Sequence, residues 1–214
     1  MPKETFFSLH AEKQDKVMRS AISEFLRNGF EKGNVGNIAK NAGVAKGSMY
    51  QYFENKKELF LFSVRWAIEL IMKKYDKYLA VKEKDINIFD YFYQSSREMW
   101  LQLREERELV IFIQDVFLGK YSTMTDESMS YLMKVSDEYV LKLIQDGKSS
   151  GYIRKDIDDN LLVIFLIGAS MKFKEYLMNK ARNSGEDIID EDFEVYEREI
   201  KAMIDLLKNG MEVK

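Results

Sequence analysis

A near absence of proline constrains the fold of this chain more than any other feature. The only proline among the 214 residues is Pro2, and proline is the residue that most reliably interrupts a helix. The long stretches after it are rich in leucine, lysine and glutamate, which favour helices. They contain no alternating strand pattern and no internal repeat. The sequence therefore predicts an all-α fold.

The spacing of apolar residues divides the chain into successive helices. Gly29 is a candidate to end the first helix, because glycine readily adopts the left-handed conformation after a last turn. Gly147 and Gly151 predict a later break, and Asp158 can open the helix that follows. Cations such as Lys172, Lys174 and Lys180 lie toward the end of that helix, where they favour the dipole. The predicted helices span about 12–28, 35–42, 46–52, 56–79, 86–103, 106–119, 125–145, 158–180 and 193–208.

Residues 34–56 have the layout of a helix-turn-helix. Asn34 can cap a short helix, and Ile38, Ala39 and Ala42 form its apolar face. Gly43 follows directly, where a chain that reverses direction often needs a positive φ. A second short helix and the basic start of a third complete the pattern. In such a motif the second helix enters a DNA major groove; an ordinary helical hairpin with a glycine turn is the alternative.

The charge distribution supports a nucleic-acid partner for the first part of the chain. The net charge is −3, which alone argues against DNA binding. Residues 1–56, however, hold nine Lys or Arg and six Asp or Glu, a balance of +3, while the remainder holds 24 and 30, a balance of −6. Contacts to phosphates require positive charge at the binding surface, and they do not require that the net charge of the protein is positive.

The composition leaves little for catalysis or metal binding. There is no cysteine, and His10 is the only histidine, so the usual nucleophile–base pairs and the Cys- or His-based metal sites are unavailable. No phosphate-loop, dinucleotide-binding, nucleophile-elbow or zinc-protease motif occurs. We expect His10 to be a surface residue and predict no catalytic residue, no metal and no cofactor. An all-α enzyme or carrier remains an alternative.

The sequence shows no targeting or membrane-spanning segment. The first ten residues lack the apolar core of a signal peptide. The longest apolar run, 161–171, falls short of the ~20 residues that cross a bilayer. Together with the lack of cysteine, this predicts a cytoplasmic location.

Residues 12–60 resemble the DNA-binding head of TetR/AcrR-type bacterial transcriptional regulators. The match covers about a quarter of the chain, and it is specific because many positions agree without gaps. Three positions depart from the usual pattern: Ala45 replaces a capping Ser or Thr, Gly36 lies inside a helix, and Gln51 replaces a frequent histidine. The residues that carry the resemblance are Phe25, Gly29, Phe30, Ile38, Ala39, Ala42, Gly43, Val44, the segment 46–53 and the segment 56–60.

The resemblance implies a role for individual residues of the motif. The family makes its contacts to base edges and to the nearby backbone at the positions of Lys46, Gly47 and Ser48. The family touches phosphates and thymine methyl groups at the positions of Tyr50, Gln51 and Tyr52. Phe53 is expected in the core. Asn34 and Lys56 stand where the family binds phosphates.

The resemblance also implies a domain organisation. A three-helix DNA-binding head would occupy residues 1–56, and its N-terminal arm would span about 1–11. The first few residues of the arm are expected to be disordered. The alternatives are that the arm reaches DNA or packs on the first helix through Lys3, Phe6 and Phe7. A long fourth helix would join it to a ligand-binding and dimerisation body at 57–214. The implied function is that of a homodimeric repressor of a palindromic operator, released by a small hydrophobic or aromatic ligand. Control by a protein partner is the alternative.

Two sets of residues are candidates for the body's functions. Aromatic residues of the body can line a ligand pocket or form ordinary core, and apolar residues of its last two helices can form the dimer interface. The ligand candidates are Trp66, Phe92, Trp100, Phe112, Phe117 and Phe173. The dimer candidates are Leu162, Phe165, Leu166, Ala169, Tyr196, Ile200, Met203 and Leu207.

Overall fold

A computed structural model describes residues 2–79, 104–121 and 125–211, together with residues 89, 93, 94, 96, 97 and 100. Every regular element in these ranges is a helix, so the all-α prediction is confirmed. The chain forms two compact units. Unit 1 comprises Met1–Lys73 and Glu106–Leu132, and unit 2 comprises Lys74–Glu105 and Met133–Lys214. Unit 1 thus extends beyond the predicted head at 1–56.

Of the first helices of unit 1, the two predicted at 35–42 and 46–52 are confirmed, whereas the one predicted at 12–28 continues to Lys32 and a short helix before it was not predicted. A short α1 spans Glu4–Phe7, α2 spans Ala11–Lys32, α3 spans Val35–Ala42 and α4 spans Lys46–Tyr52. The regular course of α2 breaks at Gly29, where φ is 68°, because glycine tolerates the left-handed region. The tight turn between α3 and α4 uses Gly43 in the same way, with φ at 66°.

Among the later helices, the one predicted at 56–79 is confirmed, the one predicted at 106–119 is shorter than predicted, and the last three extend beyond their predicted ends. α5 spans Lys56–Leu79, a 3₁₀ turn spans Arg104–Glu106, and α6 spans Arg107–Phe117. α7 spans Thr125–Ser149, α8 spans Asp159–Asn183 and α9 spans Phe193–Met211. Of the helix predicted at 86–103, only the scattered residues named above belong to the described part of the chain.

The sequence predicted a break at Gly147, but α7 does not end there. The helix continues to Ser149, and Gly151 makes the turn with φ at 79°. A Cβ on Gly147 would lie 2.6 Å from Cδ1 of Ile153, so glycine is needed there for close packing. The predicted cap of the next helix is confirmed, since Asp158 accepts hydrogen bonds from the backbone N–H groups of Asn160 and Leu161.

Each unit has its own apolar core. In unit 1, aromatic rings dominate: Phe60 lies 5.0 Å from Phe25 and 5.6 Å from Phe112 between ring centroids. Unit 2 contains two clusters of buried residues. Cluster 1 consists of Phe89, Ile144, Ile153, Leu162, Val163 and Ile167. Cluster 2 consists of Leu177, Ala181, Phe193, Tyr196 and Ile200.

Candidate nucleic-acid interface

Helix α4 presents a polar face and buries an apolar one. Met49 is only 1% exposed, and Phe53 directly after the helix is 2% exposed, which confirms Phe53 as a core residue. The opposite face lies open, with Tyr50 at 48% exposure and Ser48 half-buried beside it. The exposed members of the predicted DNA contact set on this helix are Lys46, Gly47, Tyr50 and Gln51.

Tyr52 does not share that surface. It is 9% exposed, and its ring lies 6.1 Å from the ring of Phe6 in an edge-on arrangement. The resemblance placed a DNA contact here, whereas the structure places the side chain in the core. The reason is the N-terminal arm, which packs against the end of α4.

The start of α4 is open on its outer side. Its N-cap is Ala45, whose side chain makes no capping hydrogen bond, as the departure from the family pattern predicted. A Cβ built on Gly47 would meet no other atom within 4 Å. The protein's own packing therefore leaves room for a side chain at Gly47, although a glycine inside a helix costs about 1 kcal/mol relative to alanine.

A buried carboxylate fixes the start of α3, and the sequence reasoning missed it. Glu24 is 6% exposed and accepts a hydrogen bond from the backbone N–H of Asn34 at 2.9 Å and another from Nδ2 of Asn37 at 3.4 Å. The side chain of Asn34 in turn accepts from the N–H of Gly36 at 2.7 Å. The available signal was the position of Glu24 beside Phe25 on the buried face of α2.

Two lysines tie the motif to its neighbours. Lys13 of α2 donates from Nζ to the carbonyl oxygens of Ala42 and Gly43, at 3.2 and 2.9 Å, and so holds the end of α3. Lys56 donates to the carbonyl oxygen of Glu31 at 2.9 Å and lies 4.9 Å from the ring centroid of Phe30. Lys56 remains partly exposed at the start of α5, where its Nζ is held beside the end of α2.

From Pro2 onward the N-terminal arm packs against the motif, where disorder of its first few residues was expected. Phe6 is fully buried, with its ring 5.0 Å from that of Phe53. The backbone N–H of Lys3 donates to the carbonyl oxygen of Tyr52 at 2.9 Å, and its Nζ donates to that of Tyr50 at 2.9 Å. The hydroxyl of Thr5 donates to the carbonyl oxygen of Gln51. The arm therefore satisfies three consecutive carbonyl groups at the end of α4.

The comparisons with known proteins agree with this geometry. Residues 17–61 match the family described as bacterial regulatory proteins, tetR family. The HTH-type transcriptional repressor KstR2 of Mycolicibacterium smegmatis is 20% identical over 156 residues, which cover 73% of this chain and 75% of that protein. Residues 17–61 are therefore a DNA-binding domain of the tetR family. The protein is a DNA-binding transcriptional regulator.

Solved structures show the same fold over nearly the whole regulator. A putative TetR-family regulator from Mesorhizobium loti has a TM-score of 0.73 at 19% identity and covers 95% of this chain and 98% of its own. FadR from Bacillus subtilis, solved in complex with stearoyl-CoA, has a TM-score of 0.59 at 17% identity and covers 89% and 96%. At these identities the likeness establishes the shared architecture.

The aromatic ligand candidates of this regulator fall into both units. In unit 1, Phe112 is fully buried within the aromatic core, and Trp66 lies under the guanidinium of Arg19 at 5.7 Å. In unit 2, Trp100 donates from its indole nitrogen to the carbonyl oxygen of Glu191 at 2.9 Å. Phe117 and Phe173 are half-buried, in units 1 and 2 respectively, and Phe92 lies outside the described residues.

The dimer candidates of the regulator separate into buried and exposed residues. Leu162, Tyr196 and Ile200 are at most 8% exposed and belong to the clusters of unit 2, so they stabilise the protomer itself. Ala169 and Met203 are half-buried, and Leu166 and Leu207 pack partly buried against cluster 1. Phe165 is 50% exposed. The other large apolar residues exposed on α8 and α9 are Leu161, Ile164, Tyr176, Val195 and Leu206.

Within the described ranges, no group of three or more His, Cys, Asp or Glu side chains is arranged to hold a metal ion. Among the same residues, no helix combines the length and apolar character needed to cross a membrane.

Proposed function

We propose that this regulator is a homodimeric repressor that binds a palindromic operator through α4 and is released when a small hydrophobic or aromatic molecule binds its body. Residues 1–56 would form the DNA-binding domain and residues 57–214 the ligand-binding and dimerisation domain. Its relatives are transcriptional regulators, and we propose no catalytic activity. We propose a cytoplasmic location, because such a protein acts on chromosomal DNA.

The open side of α4 at Gly47 is the observation that carries the proposal. A helix of only seven residues retains a glycine that nothing in the protein requires, since a Cβ there would meet no atom within 4 Å. A glycine is needed at that position only if an external partner approaches the backbone closely. Lys46 and Tyr50 lie exposed on either side, and lysine and tyrosine suit guanine edges and phosphate oxygens.

A mobility-shift assay on the protein's own promoter region tests this proposal. We expect a specific complex that weakens as salt rises, because bound phosphates release counterions. Lys46→Ala and Tyr50→Ala should abolish the complex. Lys142→Ala removes an exposed lysine from α7 in unit 2 and should leave the complex intact. Equal binding by all four proteins, or no sequence selected from a random DNA library, would reject DNA recognition by α4.

The exposed apolar side of α8 supports the dimer proposal. Leu161, Ile164 and Phe165 are 60%, 68% and 50% exposed, and Gly168 lies on the same side one turn later. Contiguous apolar surface of this kind marks an interaction site in soluble proteins. We propose that this side of α8, together with Leu206 of α9, packs against its symmetric copy. The predicted contribution of Phe165 is thus retained.

Substitution within this surface tests the dimer. Ile164→Glu or Phe165→Glu should give monomers in light scattering, because each would bury a carboxylate at the interface. Lys142→Glu introduces the same side chain at an exposed position of α7 and should remain dimeric. A dimer that survives both α8 substitutions would exclude this surface.

A long-chain acyl thioester is the first effector to test. The support is the FadR structure in complex with stearoyl-CoA, a protein of the same fold. Adding stearoyl-CoA to the operator complex should release the DNA if the two regulators share an effector class. A native mass spectrum of the purified protein would distinguish a co-purified small molecule from a bound protein partner, the alternative form of control.

A further inference from the structure

Two lysines of α2 converge on the turn between α3 and α4. A Cβ built on Gly43 would lie 3.7 Å from Nζ of Lys13 and 4.0 Å from Nζ of Lys16. Both ammonium groups therefore reach the same point at the turn. Two like charges in such a place repel one another, and an anion bound between them would replace that repulsion by attraction.

The two lysines differ in what the fold itself requires of them. Lys13 donates to the carbonyl oxygens of Ala42 and Gly43, which uses two of the three donors of an ammonium and leaves one. Lys16 is exposed, and within the described ranges its ammonium makes no hydrogen bond or ion pair. The packing of unit 1 therefore accounts for the position of Lys13 but not for that of Lys16.

The carboxylates of α2 do not neutralise this pair of cations. Glu12 precedes Lys16 by one turn and could pair with it at the i,i+4 spacing, but no such ion pair forms among the residues that the structure describes. Asp15 accepts from Arg19 with both of its oxygens, at 3.0 and 2.9 Å. The segment 34–53, which contains both helices of the motif, has no Asp or Glu. The turn thus presents positive charge without an acidic side chain to oppose it.

We infer that Lys13 and Lys16 together bind one backbone phosphate of the operator at the turn between α3 and α4. The inference rests on the proposed recognition of DNA by α4 and adds a contact from α2. In a helix-turn-helix the first helix crosses the DNA backbone and the start of the second meets the base edges, so the turn between them lies at the border of the groove. A phosphate has two free oxygens and can accept from both ammonium groups. Such a contact fixes the register of the protein on DNA but reads no sequence.

The salt dependence of DNA binding by Lys16→Ala tests the inference. This variant should weaken the complexes with the operator and with unrelated DNA by the same factor, because a phosphate contact carries no sequence information. The slope of log affinity against log salt should become less steep by about 1 per protomer. Lys16→Arg should keep the slope of wild type. Lys73→Ala removes an exposed lysine near the far end of α5 in the same unit and should also behave as wild type.

Neutral substitutions in the DNA locate the phosphate. Methylphosphonate groups are introduced one position at a time into an operator selected from a random library. At one position the substitution should weaken binding by wild type but have no effect on Lys16→Ala, because two changes that remove the same interaction are not additive. Lys13→Ala is unsuited to this comparison, since it also removes the hydrogen bonds that hold the end of α3.

The outcomes separate this inference from the repressor proposal. If wild type binds its operator and Lys16→Ala has the same affinity and salt slope, the phosphate contact is overturned and the repressor proposal stands. A change in the preferred operator sequence of Lys16→Ala would also overturn it, because the side chain would then read bases. If wild type itself binds no specific DNA, the repressor proposal fails and the contact fails with it. The urea midpoint of Lys16→Ala should equal that of wild type, and a lowered midpoint together with an unchanged slope would assign Lys16 a structural role only.

Discussion

The arm that covers the end of α4 gives the sharpest test of the structure, through Phe6→Ala. Phe6 is fully buried, with the rings of Phe53, Phe62 and Tyr52 at centroid distances of 5.0, 5.6 and 6.1 Å. Truncating a buried phenylalanine costs about 3–5 kcal/mol. Because the arm is terminal, it can detach without unfolding the rest, so we take the lower end, about 3 kcal/mol. This corresponds to roughly a hundredfold increase in detachment, since 1.4 kcal/mol is tenfold.

Phe7→Ala is the matched control for this substitution. Phe7 is the next residue of the same arm, but it is 50% exposed. Fully burying a phenylalanine contributes about 1.5–3 kcal/mol, so a half-buried ring should contribute about 1–1.5 kcal/mol. This is a tenfold increase in detachment at most. The two variants have the same composition and differ only in which ring is lost.

Hydrogen exchange followed by mass spectrometry measures the detachment directly. The amide of Lys3 donates to the carbonyl oxygen of Tyr52, and the amides of Phe6 and Ser8 donate within the arm. Exchange in residues 3–9 should accelerate about a hundredfold in Phe6→Ala and no more than tenfold in Phe7→Ala, following the free energies above. Equal exchange in wild type and Phe6→Ala would refute the ordered arm.

Three further predictions concern the motif and its framework. Gly47→Ala should raise stability by up to about 1 kcal/mol yet weaken operator binding in the mobility shift, whereas equal operator binding would refute a close approach to the backbone. Glu24→Ala should destabilise unit 1 by about 1–3 kcal/mol in urea unfolding, because the N–H of Asn34 loses its hydrogen bond to a charged acceptor. Glu24→Gln, which keeps a carbonyl, should lose less. Asp158→Ala should cost about 1 kcal/mol through loss of the α8 cap, and an unchanged urea midpoint would contradict that cap.

The motif could be predicted from the sequence because its signals are local. Asn34 and Gly43 mark the two ends of α3 by their own backbone preferences, and the structure begins and ends the helix at those residues. The boundaries of α4 and α5 were predicted from the spacing of their apolar residues, and the structure confirms them. These helices need no information about distant parts of the chain.

The residues that were mistaken depend on contacts distant in sequence. Tyr52 is buried because Phe6, 46 positions earlier, packs on it, and a four-residue helix such as α1 has too few positions to show a period. Gly147 reads as a helix breaker until Ile153 is seen to occupy the place of its side chain.

Within unit 1, α2 is also joined to Glu106, the residue directly before α6. Arg19 of α2 donates to both carboxylate oxygens of Glu106, at 2.6 and 3.2 Å. Glu106 is 8% exposed, and the hydrogen bonds with Glu106 and Asp15 raise the pKa of Arg19 against the effect of burial. Pulling the pair apart would leave a largely buried carboxylate without this cation, which is costly. The pair therefore fastens α2 to the residue that precedes α6 within unit 1.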